Sequence, residues 1–150
     1  MSTTNALFPQ DDQKYDRDLP LLIIKKKSFD SIISESVYRL QKCDNTKSYV
    51  FSVNIKVVND DIYCDIRSCD RQKFVLVDRF LKPYGYFLHE GYLFFVFCDF
   101  SPDWFEKSNE SRTFTFNDFS GIFYAIEYPA WLYFYDGHSF YLVTAINECY

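Results

Sequence analysis

The sequence predicts an α+β domain, in which one N-terminal amphipathic helix packs on a mainly antiparallel, aromatic-rich β-sheet. One early segment repeats its apolar residues with the 3.6-residue period of a helix, and several later segments alternate with the two-residue period of a strand. In addition, 21% of the 150 residues are aromatic, with 17 Phe and 13 Tyr. One helix followed by many strands is typical of a helix that covers one face of a sheet.

Length and composition predict a single domain over residues 19–150, preceded by a loosely ordered acidic arm over residues 1–18. A chain of 150 residues has the size of one domain. Its 48% hydrophobic and 25% charged content are globular values. The arm is polar and rich in Asp with few apolar anchors, and chain termini of this kind are commonly poorly ordered.

The net charge of −5 and the pI near 4.9 predict a protein that does not bind nucleic acid. Phosphate binding draws its affinity from clustered Lys and Arg. The only basic cluster is Lys25-Lys26-Lys27, and three lysines beside a strand-like apolar run are typical of a solvated rim. An acidic protein is instead steered toward a basic partner.

The sequence also favours a cytoplasmic protein without a membrane partner. Residues 1–7 have neither the basic nor the apolar region of a secretory signal, and no apolar stretch approaches the roughly 20 residues that span a bilayer. In that compartment cysteines stay reduced. The chain has five, an odd number at irregular spacing, and all are expected to be free thiols: Cys43, Cys64, Cys69, Cys98 and Cys149.

The most regular element is an amphipathic helix over residues 28–43. Ser28 suits the N-cap position, and Asp30 suits the first turn, where its charge complements the helix dipole. Apolar residues recur at helical spacing on one face: Phe29, Ile32, Ile33, Val37 and Leu40.

Residues 49–57 and 62–67 alternate as two strands, each with one apolar and one polar face. For the two apolar faces to coincide, the loop between the strands must contain an even number of residues. A two-residue turn at Asn59-Asp60 meets this requirement. It predicts three pairs: Val57 with Ile62, Ile55 with Cys64, and Val53 with Ile66.

The strands predicted after residue 73 carry rings on both faces. Residues 74–80, 84–88 and 92–98 carry apolar residues on both faces, with a turn at His89-Glu90-Gly91 between the last two. Such strands either lie centrally in a sheet with both faces covered or keep one face for a ligand or partner.

Asp136-Gly137 is the strongest hairpin signal in the chain. As a two-residue turn it would give three pairs on one face: Tyr135 with His138, Tyr133 with Phe140, and Trp131 with Leu142. Upstream, Ser101-Pro102-Asp103 predicts a short turn of helix through residues 104–105, and residues 112–116 alternate like a strand. Residues 117–127 fit a helix and a strand equally well.

No metal or cofactor site is expected. Cys64 and Cys69 lie an odd number of positions apart on one predicted strand, which places them on opposite faces, and isolated buried cysteines behave as small hydrophobes. The chain contains no glycine-rich phosphate loop, GxSxG elbow or HExxH motif.

The only two histidines, His89 and His138, each lie beside a predicted turn, the first with Glu90 next to it. They could form an acid–base pair if the two turns lay at the same end of the sheet. A histidine beside an acid at a turn is more commonly just solvated, so the sequence favours a non-catalytic role over an enzyme.

The tyrosine surplus favours a protein interface, because Tyr and Trp are enriched at interface centres. The predicted function is non-catalytic protein binding of the inhibitor, immunity-protein or adaptor type. The predicted contact residues are Trp131, Tyr133, Tyr135, Tyr84, Tyr86, Tyr92 and Asp136. For any single tyrosine, however, sheet packing is the simpler explanation.

Two alternatives stay open. The first is an enzyme or small-ligand-binding domain with an aromatic-lined pocket near His89, Glu90 or His138. The second is a homodimer formed through a ring-rich face of the sheet.

Overall fold

The computed structural model describes residues 14–44, 49–71, 82–117 and 128–149. Within these residues, eight strands form one sheet and one helix covers part of one face. In chain order the elements are β1 Lys14–Ile24, α1 Lys27–Cys43, β2 Tyr49–Val58, β3 Asp61–Asp70, β4 Pro83–His89, β5 Tyr92–Cys98, β6 Phe105–Asn117, β7 Ala130–Tyr135 and β8 Phe140–Ile146.

The strand order across the sheet is β6-β1-β4-β5-β2-β3-β7-β8. The β1–β4 and β2–β5 pairs are parallel, and the other neighbouring pairs are antiparallel. The prediction of a mainly antiparallel, aromatic-rich sheet with one helix is therefore confirmed, but the sheet is mixed.

The predicted N-terminal position of the helix is wrong, because β1 precedes α1. The apolar run that follows residue 18 buries Leu19 and Leu22 and forms the second half of this strand. Residues 14–18, assigned from sequence to the loose arm, form the first half and pair with β6, Asp16 opposite Thr115 and Asp18 opposite Thr113.

The helix itself lies where the periodicity predicts it, and its five predicted core residues are buried. The helix begins at Lys27, one position earlier than predicted, and its N-cap lies two positions earlier. The N-cap is Lys26, which makes no side-chain capping bond, so Ser28 lies inside the first turn. There its hydroxyl donates to the carbonyl oxygen of His138 at 3.5 Å.

The β2–β3 hairpin has the predicted register, with Val57 opposite Ile62 and the other two pairs following. Asn59 and Asp60 both have positive φ, 53° and 70°, as a two-residue turn of this kind requires. The predicted turn between β4 and β5 is also present, with φ of 51° at Glu90 and 84° at Gly91.

The β7–β8 hairpin differs from the prediction, because its loop contains four residues instead of two. The Asp136 carboxylate accepts hydrogen bonds from the backbone N–H groups of His138 at 2.8 Å and Ser139 at 2.7 Å. These bonds close a longer loop and make Tyr135 pair with Phe140. The register therefore shifts by two residues, which keeps each side chain on its predicted face as far as Leu142.

The predicted helical turn at residues 104–105 is also wrong. Residues 103–104 form a turn and β6 begins at Phe105. The carbonyl oxygen of Trp104 accepts the N–H groups of Lys25 at 2.7 Å and Lys26 at 3.3 Å, which ties this turn to the end of β1. The predicted strand at 74–80 lies outside the described residues, as do residues 118–127 of the ambiguous segment.

Two of the five cysteines are not free thiols, which corrects the expectation from sequence. Cys43 at the end of α1 and Cys149 after β8 form a disulfide across 106 residues. The spacing of cysteines in the sequence carries no information about a contact of that range. Cys64, Cys69 and Cys98 are buried thiols.

The sheet separates two hydrophobic cores. The larger lies under α1 and includes Phe51, Phe94 and Trp131. The second lies on the opposite face of β4 and β5. There Phe114 of β6 packs on Tyr86 and Phe95, with ring centroids 5.1 Å and 4.8 Å apart, respectively.

The second core requires β1 and β6 to curl over β4 and β5. On the α1 side, Gly85 lets β1 lie close to β4, since a Cβ there would lie only 2.6 Å from Cγ of Leu22, which belongs to the larger core. The rings on both faces of residues 84–98 are thus explained by two covered faces.

Candidate interaction face

The seven residues predicted to bind a partner do not share one surface. Asp136 is exposed and Tyr84 and Tyr135 are half-buried, whereas the other four are buried: Trp131, Tyr133, Tyr92 and Tyr86. The first three of these four belong to the core under α1. Tyr86 belongs to the second core.

The polar ends of Trp131 and Tyr133 bind side chains of the protein itself. The indole N–H of Trp131 donates to Glu148 at 2.6 Å, and the Tyr133 hydroxyl donates to Glu35 at 2.6 Å. Arg39 joins the two carboxylates: it donates to both oxygens of Glu148, at 2.7 and 3.0 Å, and lies 3.4 Å from Glu35.

This network shifts the protonation of its members. Burial first, and then the hydrogen bond to Glu35, raise the pKa of the Tyr133 hydroxyl. Partial burial acts to raise the pKa of Glu148, but the hydrogen bonds from Arg39 and Trp131 outweigh it and lower that pKa. The network therefore keeps the Glu148 carboxylate paired with Arg39 and anchors the segment after β8.

The two histidines lie at opposite ends of the sheet. Strands β5 and β7 run in the same direction, because β2 is parallel to β5 and β3 is antiparallel to both β2 and β7. His89 lies at the β4–β5 turn, at the start of β5, whereas His138 lies in the loop at the end of β7. Both histidines nevertheless lie near the first half of α1, since Asp30 is 4.0 Å from the ring of His89 and Ser28 donates to the carbonyl oxygen of His138 at 3.5 Å. The joint acid–base pair stays a prediction.

His89 has its own polar neighbours. Its Nε2 atom lies 3.1 Å from the Ser34 hydroxyl and 3.2 Å from a Glu90 carboxylate oxygen. Its Nδ1 atom lies 4.0 Å from Asp30, which is too long for a hydrogen bond. Glu90 and Ser34 thus compete for the same ring nitrogen.

A row of rings crosses the face of the sheet opposite α1. Tyr63 of β3 pairs with Phe134 of β7, which pairs with Tyr141 of β8, and the first two ring centroids are 5.5 Å apart. Tyr63 and Phe134 are half-buried, and Tyr141 is 55% exposed. We call these three residues the ring ladder.

An ion group lies beside the ring ladder on the same face. Asp65 is only 8% exposed. Arg67 Nε lies 3.2 Å from both of its carboxylate oxygens, and Lys56 Nζ lies 3.7 Å from one of them. Two cations around one carboxylate satisfy the buried charge and leave this three-residue group with a net positive charge.

The ring ladder ends at an edge of the sheet. Strand β8 is the last strand in the described order, and its sequence Phe140–Ile146 contains no charged residue. Four of its large apolar side chains are exposed: Tyr141, Leu142, Val143 and Ile146. The only irregularity is a bulge at Val143, where the register with β7 shifts.

None of the three residues of the ring ladder is among the seven contact residues predicted from sequence. Alternation shows that a strand has two faces, but it does not show which face the helix covers. In β7 the odd-numbered residues face α1 and the even-numbered residues face away. The signal that could have found the ladder is the pair of aromatic residues at Phe134 and Tyr141, which stay on one face in either register.

Comparison with protein-family models, curated proteins and solved structures found no match to this chain. In the described part of the chain, no three His, Cys, Asp or Glu side chains converge as metal ligands would. The described helix is too short and too polar to cross a membrane.

Proposed function

We propose that this protein is a non-catalytic protein-binding domain of the inhibitor, immunity-protein or adaptor type. Its partner would contribute an extended segment that adds to β8 as a further strand. The observation that supports this proposal is that the ring ladder runs across three strands and ends at an uncharged edge.

Strand addition joins main-chain hydrogen bonds with side-chain contacts on alternate residues. The segment would satisfy the outward-facing N–H and C=O groups of β8. Its side chain opposite Tyr141 would extend the row that Tyr63 and Phe134 begin. The bulge at Val143 divides β8, so we expect the tightest pairing along Phe140–Leu142, next to the ladder.

The charge of the whole domain defines the partner further. A net charge of −5 steers a basic protein toward the domain over distances beyond direct contact. The docked segment itself is expected to carry aromatic or β-branched residues, which pair well across strands.

The experiment selects peptide ligands from a displayed library of extended ten-residue sequences. Their affinity is then measured for the wild type and for Tyr141→Lys and Val143→Lys. Leu88→Lys is the matched control, because Leu88 is 54% exposed against 55% for Val143 but lies on β4. Backbone amide chemical shifts map the binding site.

We expect selected peptides to alternate apolar and polar residues and to shift amides of β7 and β8. Each edge variant should weaken binding at least about tenfold, which corresponds to about 1.4 kcal/mol, while Leu88→Lys changes it by less than about twofold. Peptides that bind all variants equally, or a selection that yields none, would contradict the proposal.

A second candidate function is supported by the contact between Ser34 and His89. A serine hydroxyl 3.1 Å from a histidine nitrogen is the arrangement of a base and a nucleophile. A fluorophosphonate probe tests it: labelling of Ser34 that is lost in His89→Ala would support hydrolase chemistry. Absence of labelling in the folded wild type would count against it.

A further inference from the structure

The Cys43–Cys149 disulfide joins the end of α1 to the segment that follows β8. Of the two partners, Cys149 is exposed and Cys43 is half-buried. Exposed disulfides are the ones that exchange readily with thiols in solution, whereas buried ones resist reduction. This bond is therefore open to chemical attack in the folded protein.

The local contacts favour attack at Cys149. The backbone N–H of Cys149 donates to Sγ of Cys43 at 3.1 Å. A donor at this position stabilises negative charge on Cys43 when that sulfur becomes the leaving group. The exposed Sγ of Cys149 is thus the accessible electrophile. The half-buried Sγ of Cys43 is the leaving group, and it already accepts a hydrogen bond.

The other cysteines do not compete. Burial raises the pKa of the Cys64 thiol well above its usual value, and burial raises that of Cys98 to about 11. Cys69 is buried as well. Thiols that stay protonated and buried are poor nucleophiles, so exchange is confined to the one pair.

The disulfide holds a segment that makes specific contacts. Residues 147–149 turn back from β8 toward α1, with a positive φ of 59° at Asn147. Within the segment, Glu148 binds both Arg39 and the indole of Trp131. Opening the disulfide removes the covalent tie to α1 and leaves polar bonds, namely those of Glu148 and the one that Asn147 Nδ2 donates to the carbonyl oxygen of Tyr128 at 3.2 Å.

We propose that Cys43–Cys149 is a thiol–disulfide exchange site for low-molecular-weight thiols of the glutathione type, and that its opening releases residues 147–149 from α1. A thiolate attacks Sγ of Cys149 and forms a mixed disulfide there. The Cys43–Cys149 bond breaks, and its electron pair leaves on Cys43, which takes a proton from water. A second thiolate attacks the mixed disulfide, releasing the Cys149 thiolate and the oxidised form of the small thiol.

The experiment treats the folded, oxidised protein with reduced glutathione, blocks free thiols with iodoacetamide, and locates the modified residues by mass spectrometry. Amide hydrogen exchange of residues 147–149 and the fluorescence of Trp131 report release of the segment. The variant Cys43→Ala/Cys149→Ala represents the open state. The variant Glu148→Gln keeps the disulfide but weakens the polar bonds.

We expect a glutathione adduct on Cys149, alkylation of Cys43 and Cys149, and no alkylation at the three buried cysteines. Amide exchange of the segment should become at least tenfold faster on reduction and in the double variant, with no further change when that variant meets glutathione. In oxidised Glu148→Gln it should change by less than threefold.

Two results would overturn the proposal. If alkylation of this pair requires denaturant, there is no exchange site in the folded protein. If the pair is reduced but amide exchange and Trp131 fluorescence stay as in the oxidised protein, the disulfide does not control the segment.

Discussion

The two edges of the sheet differ in how they meet solvent. Edge strand β6 carries four charged residues between positions 106 and 112, namely Glu106, Lys107, Glu110 and Arg112, while edge strand β8 carries none in Phe140–Ile146. Charges on an edge discourage the addition of another strand. In β8 only the bulge at Val143 serves that purpose. The difference indicates that one edge is closed to association and the other is suited to it.

The edges also differ in how they are attached to the rest of the domain. The β6 side is held by packing, since Phe114 reaches over β4 and β5. The β8 side is held by Phe140, which packs on Phe29 and Trp104, and in addition by the disulfide and the network around Glu148. An edge that stays open for a partner covers few side chains, so its position depends on these ties beyond its end.

The largest expected effect comes from removing the covalent tie of the β8 side. In the chain-entropy description a disulfide that closes a loop of about 100 residues stabilises a protein by about 4.7 kcal/mol. The variant Cys43→Ala/Cys149→Ala should therefore lose about 4–5 kcal/mol in urea unfolding, relative to the oxidised wild type. The reduced wild type is the control and should unfold like the variant; equal stability of oxidised and reduced protein would contradict this account.

The next effect compares packing at the two edges directly. Phe114→Ala on β6 removes a ring from the second core and should cost about 2–3 kcal/mol, because truncating a packed aromatic leaves a cavity. Tyr141→Ala on β8 removes a mostly exposed ring and should cost less than about 1 kcal/mol. Urea unfolding of both variants measures the difference, and a larger loss for Tyr141→Ala would mean that β8 is not an open edge.

The network around Glu148 predicts a dependence on pH. The pKa of Glu148 in the folded protein lies below its ordinary value of 4.5, so its stabilising effect is fully present above that value and is lost as pH falls through the folded pKa. Glu148→Gln should cost about 1–2 kcal/mol at pH 7, as expected for losing hydrogen bonds to a charged group. Its unfolding free energy should then fall less steeply than that of the wild type below pH 4.5. Parallel pH profiles for the two proteins would contradict the assignment.

The accuracy of the sequence predictions follows the range of the contacts involved. The β2–β3 register was predictable, because one loop and one alternating pattern fix it. The β7–β8 register was not, since the side chain of Asp136 closes a longer loop than its Asp-Gly sequence indicates. Placing β1 before α1 depends on a parallel pair with β4 and an antiparallel pair with β6, both distant in sequence.

The candidate site shows the same limit. Trp131 and Tyr133 were predicted to contact a partner because they are large and amphipathic, but the network with Glu148 and Glu35 uses their polar groups inside the domain. The ring ladder combines three strands, one of them about 70 positions from the other two. Neither feature can be predicted without knowing which face of the sheet α1 covers. Alternation within a strand defines two faces but does not show which of them is covered.

The smallest effect on stability, and the sharpest test of the two edges, comes from making β6 resemble β8. Glu106→Val/Glu110→Val removes two exposed charges, and Glu106 lies 3.9 Å from Lys25 in a long surface contact. Such pairs contribute little, so stability should change by less than about 0.5 kcal/mol. Sedimentation velocity should nevertheless show more concentration-dependent association than for the wild type, because the β6 edge loses two of its four charges and is less protected against strand pairing. Glu106→Gln/Glu110→Gln removes the same charges without adding β-branched side chains. If charge alone prevents strand pairing at β6, both variants should associate. If pairing also requires apolar side chains at the edge, only the valine variant should associate. Association of neither variant would show that charge does not distinguish β6 from β8.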